Sequence, residues 1–410
     1  MADLPKDEHT AASLAAKLRA EIRADLAASL RKSPPVTAPA AGPVSVAATA
    51  DIIAAADGRP ALVLPKPTPN LALPPALKAG VTVTYRAFDS GRTPGKEGGS
   101  ISGSGLTNAN VNFARNNLVS IDVRKYFTLD PNRPRAVSMG CSAVAGSEVS
   151  AGIYWIHPAL LGVIMGLGAP KQAEGVKLER VPFEADGQRF NAVRIAEETR
   201  VESRVTIYDS ETGFLLSQNS KSNERNAESQ SYQAYVSRRE LRIPWADRPA
   251  PDWVGKTREL KYEGSNTLVM MGTSVRQSVT LEARLEVLEP GALLARFTSL
   301  VSSGPGYPLE RNDWEMACAG AMLYPLWIDP SVLRELQPHQ PIDEDPVTKF
   351  RMSFLGIEGD YASIRDEGPM EQTTFYFDVR NGMFSGFRGQ RPYAEGAGTL
   401  HVETWLKSAT

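Results

Sequence analysis

The sequence predicts an α+β fold that is mostly β: two homologous domains of curved antiparallel sheet with short helices, preceded by an N-terminal helix and a Pro/Ala-rich linker. Two observations support this prediction. Runs of alternating apolar and polar residues are typical of half-buried strands, and blocks of residues recur in the same order about 170 positions apart. At 410 residues, the chain is also too long for one ordinary domain of about 150 residues.

Residues 1–32 are predicted to form an amphipathic helix. Its apolar residues recur at steps of four, at Leu14, Leu18, Ile22, Leu26 and Leu30. Residues at this spacing share one side of a helix, and an isolated helix of this length is marginally stable unless that side is buried. Two interpretations of this helix remain open. It is either a handle for a partner protein, for self-association or for a membrane surface, or a helix that packs on its own body or stays unattached.

Residues 33–76 are rich in Pro and Ala and have no sustained period. Because Pro removes backbone donors and fixes φ, this stretch is predicted to be an extended linker or a surface-hugging arm. The folded body follows, with a first repeat domain at 77–248 and a second at 250–410.

The domain division rests on recurring blocks. "YWIHPALL" at 154–161 returns as "LWIDPSVL" at 326–333, and four further blocks accompany it in the same order. The matched residues are Gly80 with Gly255, Cys141 with Cys318, Trp155 with Trp327, Arg194 with Arg365, and Gly213 with Gly382. A repeat of this length is a domain rather than a solenoid unit. The pattern predicts an internal duplication.

Local patterns predict the elements of each copy. Residues 274–300 alternate apolar and polar side chains on both sides of a Glu-Pro-Gly turn, which predicts two paired strands. Residues 204–218 and 373–387 are strand-turn-strand units in which a Gly accepts positive φ. Pro158 and Pro330 each begin a short helix, and His157 aligns with Asp329 as the polar residue that closes the preceding turn.

The hairpins "YDSETGFLL" and "FDVRNGMFS", set in a long antiparallel meander, resemble those of the lipoprotein-carrier (LolA/LppX-like) fold. In that family a curved sheet closed by a helical lid holds acyl chains. The resemblance covers the hairpins and the general strand order, and it assigns no ligand-binding residue. It implies a lipid-like or other apolar ligand.

Four side chains are candidates for the lining of a ligand site: Tyr154, Trp155, Trp327 and Leu333. The alternative for each is plain core, since aromatic residues dominate cores. Cys141 and Cys318 occupy matched blocks, so a two-fold arrangement of the domains could join them in a disulfide. Two buried, inert thiols are the interpretation that we favour.

No motif indicates a metal or a cofactor. The four His residues have no metal-ligand spacing, and there are only two Cys. The Gly-rich stretch 91–105 lacks the ending of a phosphate-binding loop and is predicted to be a hairpin loop. The acidic run 341–346 is predicted to be a solvated loop, because it lacks the spacing of a calcium loop.

Composition narrows the function classes. A net charge of -2 predicts no nucleic-acid partner, and no apolar run is long enough for a transmembrane helix. The chain as written is expected to be cytoplasmic, or periplasmic or extracellular if a leader has been removed. We expect a non-enzymatic binding protein whose duplicated β-rich domains hold an apolar ligand or a partner protein. The alternatives are an assembly subunit that uses the N-terminal helix and arm, and an enzyme with a site between the repeats.

Overall fold

The computed structural model describes residues 72–410 with short interruptions. The predicted N-terminal helix and most of the linker lie outside the described residues. The stretches left out within 72–410 are 93–99, 116–117, 129–136, 146–149, 152, 167–175, 225–226, 246–247, 249–250, 252, 254–255, 271, 290–291, 303–309, 320–323, 369–370 and 394–397.

The first large sheet has nine antiparallel strands in the order β4-β3-β2-β1-β11-β10-β9-β8-β7. The strands are β1 (Val81–Arg92), β2 (Ser100–Arg115), β3 (Leu118–Thr128), β4 (Val137–Ala145), β7 (Val176–Ala185), β8 (Gln188–Glu198), β9 (Glu202–Asp209), β10 (Leu215–Glu224) and β11 (Ala227–Glu240). A separate two-stranded ribbon pairs β5 (Ser150–Ala151) with β6 (Trp155–Ile156).

The second large sheet has ten strands in the order β15-β14-β13-β12-β21-β20-β19-β18-β17-β16. The strands are β12 (Glu259–Met270), β13 (Thr273–Glu289), β14 (Ala292–Ser302), β15 (Glu310–Ala319), β16 (Pro341–Glu344), β17 (Arg351–Glu358), β18 (Tyr361–Glu367), β19 (Gln372–Asp378), β20 (Phe384–Tyr393) and β21 (Gly398–Ala409). Apart from the extra edge strand β16, the two sheets have the same strand order. The predicted fold class, mostly β with antiparallel sheets, is confirmed.

The predicted local elements are also present. Helix α1 (Pro158–Gly166) and helix α2 (Pro330–Glu335) each begin at the expected Pro. β13 and β14 form the predicted pair around the Glu-Pro-Gly turn. β1 and β2 pair as far as Arg92 and Ser100, so the Gly-rich stretch does join the two strands of a hairpin.

Each sheet carries an inner segment on one face, which we define as residues 150–166 in the first domain and 324–336 in the second. In the first domain β5 contacts β3 and β4, while α1 contacts β7 at the other edge of the sheet. Strands twist, and open sheets of this many twisted strands curl. We call the face of each sheet that the inner segment covers the concave face.

Each domain has its own hydrophobic core between the concave face and the inner segment. Trp155 and Leu161 pack with strand residues such as Ile121 and Ile195 in the first core. Ile243 and Trp245, which the sequence-based boundary assigns to the first domain, pack in the second core. At the start of the body, Leu73 packs against the first core, so the end of the Pro/Ala-rich stretch lies on the domain.

The two sheets also contact one another. β15 of the second sheet contacts β2, β3 and β4 of the first. Arg239 on β11 donates from Nη1 to Asp343 Oδ1 at 2.9 Å, and its Nη2 lies 2.8 Å from Asp343 Oδ2. The prediction of a solvated loop at 341–346 is wrong, because Asp343 lies in β16 and the Asp345 side chain is 1% exposed. The alternation of apolar and polar residues in this run is too short to predict an edge strand from the sequence.

Candidate functional site

The recurring Trp fastens each inner segment to a hairpin of its sheet. Trp155 Nε1 donates to the Thr212 carbonyl, and Trp327 Nε1 donates to the Asn381 carbonyl, both at 2.9 Å. The next residue, Ile156 or Ile328, donates its backbone N–H to the carbonyl of the turn glycine at 2.9 or 3.0 Å. We call this arrangement the Trp anchor. The two anchors make the same set of hydrogen bonds.

The turn residue of each anchor must be glycine. Gly213 and Gly382 have φ values of 78° and 72°, as predicted for these turns. A Cβ at either position would overlap the carbonyl oxygen of the Ile in the anchor. The hairpins therefore recur because the turn has to let the inner segment approach its backbone.

The residue before each helix caps it. Asp329 Oδ1 accepts the backbone N–H of Ser331 at 2.8 Å, and His157 Nδ1 accepts the N–H of Ala159 at 3.1 Å. With Nδ1 accepting, neutral His157 carries its proton on Nε2, which lies 3.1 Å from the Ala72 carbonyl. His157 therefore caps α1 and also holds the end of the Pro/Ala-rich stretch, which explains its alignment with Asp329.

The Asp329 cap predicts a pH-dependent contribution to stability. Burial alone would raise the pKa of Asp329, but hydrogen bonds from Ser331 lower it below its usual value. A lowered pKa means that the contribution is present above the pKa of the unfolded chain and is lost as pH falls through the folded pKa. We expect Asp329→Ala to cost about 1 kcal/mol at pH 7, measured by urea unfolding, and to cost less at pH 3. An equal loss of unfolding free energy at both pH values would contradict this prediction. The control is Glu335→Ala, which removes an exposed side chain.

The interior of the first domain is rich in tyrosine. Tyr85 is fully buried, and its ring lies 5.8 Å from that of Tyr154 and 53° out of plane with it. Burial raises the pKa of Tyr85 well above its usual value, and the nearby Tyr154, Tyr208 and Tyr235 raise it further. Burial also raises the pKa of Tyr208. These hydroxyls are therefore neutral groups at physiological pH.

The interior of the second domain is aromatic and apolar. Tyr262, which is fully buried, donates its hydroxyl to the Phe384 carbonyl at 3.3 Å. Next to it lie three partly buried rings: the Tyr324 ring is 5.5 Å from Phe375, and the Phe375 ring is 6.1 Å from Phe387. These three rings leave apolar surface accessible next to the buried core.

The four predicted lining residues all lie in the cores. Tyr154, Trp155, Trp327 and Leu333 are 7%, 0%, 2% and 0% exposed. Within this group, the two Trp residues hold the anchors, and Tyr154 accepts a hydrogen bond from Gln233 Nε2 at 3.4 Å. Contact with a ligand remains a prediction for these residues.

Cys141 lies on β4 opposite Val123, and Cys318 lies on β15 opposite Leu293. Their side chains lie outside the described part of the structure. The disulfide, and the favoured alternative of two free thiols, remain predictions. Among the side chains that are described, no group of three or more His, Cys, Asp or Glu is placed to hold a metal ion. Within the same residues, no helix is both long and apolar enough to cross a membrane.

Comparisons with known proteins give only remote likenesses. No family model matches the chain, and no curated protein matches it. A protein of unknown function from the DUF3598 family of Nostoc punctiforme is 10% identical, with 80% of this chain and 96% of that chain covered and a TM-score of 0.18.

Two further structures are similarly distant. MucB in complex with MucA(peri) is 12% identical, with 79% and 89% covered and a TM-score of 0.19. A mutant of the vaccine antigen transferrin binding protein B from Haemophilus parasuis is 9% identical, with 80% and 76% covered and a TM-score of 0.12. TM-scores this low carry no argument about the function of the chain.

Proposed function

We propose that this chain is a non-enzymatic binding protein made of two copies of one ancestral domain, and that the second copy holds an apolar ligand on the concave face of its sheet. The observation that supports this proposal is that the two domains share a structural frame but differ in the side chains on the concave face. The shared frame consists of the strand order, the Trp anchors, the turn glycines and the capped helices. Both copies keep the same frame, but their interior side chains differ. This is typical of one scaffold that carries different binding sites.

The second domain offers the apolar surface. Phe375 on β19 is directly opposite Phe387 on β20, and Tyr324 of the inner segment packs against Phe375. All three rings are partly exposed, while Phe377 and Phe384 beneath them are buried. Covering one aromatic side chain completely is worth about 1.5–3 kcal/mol, so this cluster could contribute much of the affinity for an apolar molecule.

The lipoprotein-carrier resemblance agrees with this proposal through its hairpins alone. In this chain those hairpins hold the Trp anchors, so they fix the inner segment that forms one side of the interior. Trp327 and Leu333 would then support the ligand site indirectly, because they hold the inner segment in place.

The proposal can be tested with a fluorescent fatty acid as the apolar probe and the full chain. We expect Phe387→Gln and Phe375→Thr each to weaken probe binding by about tenfold or more, since each removes a ring from the cluster. The introduced residues are those that the first domain carries at the matching strand positions, Gln218 and Thr206, so the sheet is expected to accept them. Binding would be followed by fluorescence titration.

The matched control is Ile357→Thr. Ile357 is 47% exposed and lies on β17 outside the aromatic cluster. Its substitution should leave probe binding unchanged. If the wild-type chain does not bind the probe, or if all three variants bind it equally well, an apolar site at Phe375 and Phe387 is excluded.

A further inference from the structure

We propose that the concave face of the first domain binds a neutral, hydroxyl-rich small molecule of the sugar or polyol class. The proposed site is formed by Tyr85, Thr107, Gln218 and Gln233, with Tyr154 above them. This proposal shares one assumption with the proposed function, namely that the concave face of each domain is where a ligand binds. The ligand and the domain differ from those of the apolar site, so each proposal can fail while the other stands.

The four side chains are neighbours across four adjacent strands. Tyr85 on β1 is opposite Thr107 on β2, and Gln218 on β10 is opposite Gln233 on β11. Gln233 also lies diagonal to Tyr85, because Ala87 is its direct partner on β1. Directly opposite side chains have Cβ atoms about 5 Å apart, and diagonal ones remain within reach of long side chains. The four form one group.

Each of the four is buried and has an unsatisfied polar atom. Tyr85 and Thr107 are 0% exposed, Gln233 is 3% exposed and Gln218 is 7% exposed. Tyr85 Oη, Thr107 Oγ1, Gln218 Oε1 and Gln233 Oε1 have no hydrogen-bond partner within the described protein. A buried polar atom without a partner costs about 1–3 kcal/mol. A bound molecule would supply the hydrogen-bond partners that these four atoms lack.

The matching positions of the second domain show that the frame does not require these polar groups. The bulge before Tyr85 recurs before Tyr262, which fixes the register between the two domains. In that register Thr107 corresponds to Leu281, and Gln218 corresponds to Phe387. Further pairs follow the same rule: Tyr154 with Leu326, Tyr235 with Leu406, Thr206 with Phe375 and Tyr208 with Phe377.

At six positions, then, the first domain has a hydroxyl or a carboxamide where the second has an apolar side chain. Gln233 corresponds to Thr404, which is polar in both domains but carries a second polar atom in the first. A buried polar residue is expensive, and the second domain folds with apolar residues at the same places. The polar side chains of the first domain therefore serve a role other than forming the fold.

The chemistry of the free atoms selects the ligand class. The two glutamine Oε1 atoms can only accept, while the hydroxyls of Tyr85 and Thr107 can accept or donate. The ligand must therefore present several donors. It must also be uncharged, because none of these groups is ionised and a buried charge requires a counter-charge. Hydroxyl groups supply donors and acceptors together, and the Tyr85 and Tyr154 rings supply apolar contact for the carbon skeleton of a sugar.

The test uses the full chain with glucose, galactose, mannose, myo-inositol and glycerol as probes in isothermal titration calorimetry. Native mass spectrometry of gently purified protein, followed by analysis of released small molecules, provides a second readout. We expect a probe to bind, or a neutral polyhydroxyl molecule to co-purify at one per chain. The double variant Gln218→Phe with Gln233→Thr, which carries the residues of the second domain, should weaken binding at least tenfold.

Two further variants keep the result interpretable. Tyr85→Phe removes only the hydroxyl. It should weaken binding and leave the thermal unfolding temperature of the domain unchanged. Gln390→Thr, at an exposed position on β20, is the control and should have no effect. The proposal is overturned if no probe binds and the purified chain carries no such molecule, which would assign the free atoms to interior water. It is equally overturned if binding survives the double variant.

Discussion

Gly382→Ala should destabilise the second domain by about 3–5 kcal/mol, and Gly213→Ala should do the same to the first. Alanine at positive φ costs about 1–2 kcal/mol. In addition, the new methyl group would overlap the Ile328 or Ile156 carbonyl oxygen, so the turn and the inner segment would have to separate. Separation would break the hydrogen bonds of the Trp anchor. Chemical denaturation of the purified variants measures the loss.

Each variant has a control with the same backbone conformation. Gly359 has φ of 58° and Gly187 has φ of 70°, but a Cβ at either would meet no atom within 4 Å. Gly359→Ala and Gly187→Ala should therefore cost only the conformational term, about 1–2 kcal/mol. The difference within each pair isolates the close approach of the inner segment. Equal losses in a pair would show that the anchor contributes nothing at that turn.

Features of the frame could be predicted from sequence because their causes are local. Three such features can be recognised within a few residues of sequence: a Gly at positive φ, a Pro at the start of a helix, and the alternation of apolar and polar residues along a strand. The repeated Trp was also visible, because the two blocks match at Trp155 and Trp327 with the same spacing to Pro158 and Pro330. What sequence could not show was the role of each Trp, since its acceptor lies more than 50 residues away.

The polar site of the first domain was missed, although a signal was present. Aligning the hairpins at 204–218 and 373–387 places Gln218 against Phe387 and Thr206 against Phe375. A buried polar residue matched to a buried ring is informative only when the face of each strand is known. That face depends on the pairing of β1 with β11, which joins the first and last strands of the sheet. Pairing over such a separation leaves no local pattern.

The acidic run at 341–346 shows the opposite error. Its charges suggested solvent exposure, and its true partner is Arg239 on the other sheet. Asp345 also accepts the backbone N–H groups of Val347 and Thr348 at 2.9 and 3.3 Å, which explains how a carboxylate is tolerated in a buried turn. A long-range ion pair cannot be found by counting neighbouring charges.

Arg239→Met should destabilise the protein by about 3 kcal/mol or more, because it leaves two carboxylates without their cation. The Arg239 side chain is 22% exposed, and those of Asp343 and Asp345 are 12% and 1% exposed. Water can therefore replace the lost guanidinium only in part. The exposed pair Arg296 and Glu286, at 2.7 Å, gives the matched control: Arg296→Met should cost no more than about 1 kcal/mol.

The same substitution should also uncouple the two domains. Arg239 belongs to the last strand of the first sheet and Asp343 to the edge strand of the second, so the pair links their stabilities. Calorimetry of Arg239→Met is expected to show a broader or divided transition where the wild type gives a sharper one. Adding Asp343→Asn to Arg239→Met should recover part of the lost stability, since it removes one unpaired charge. If the double variant is no more stable than Arg239→Met, the cost comes from lost packing of the Arg239 side chain rather than from the unpaired charge.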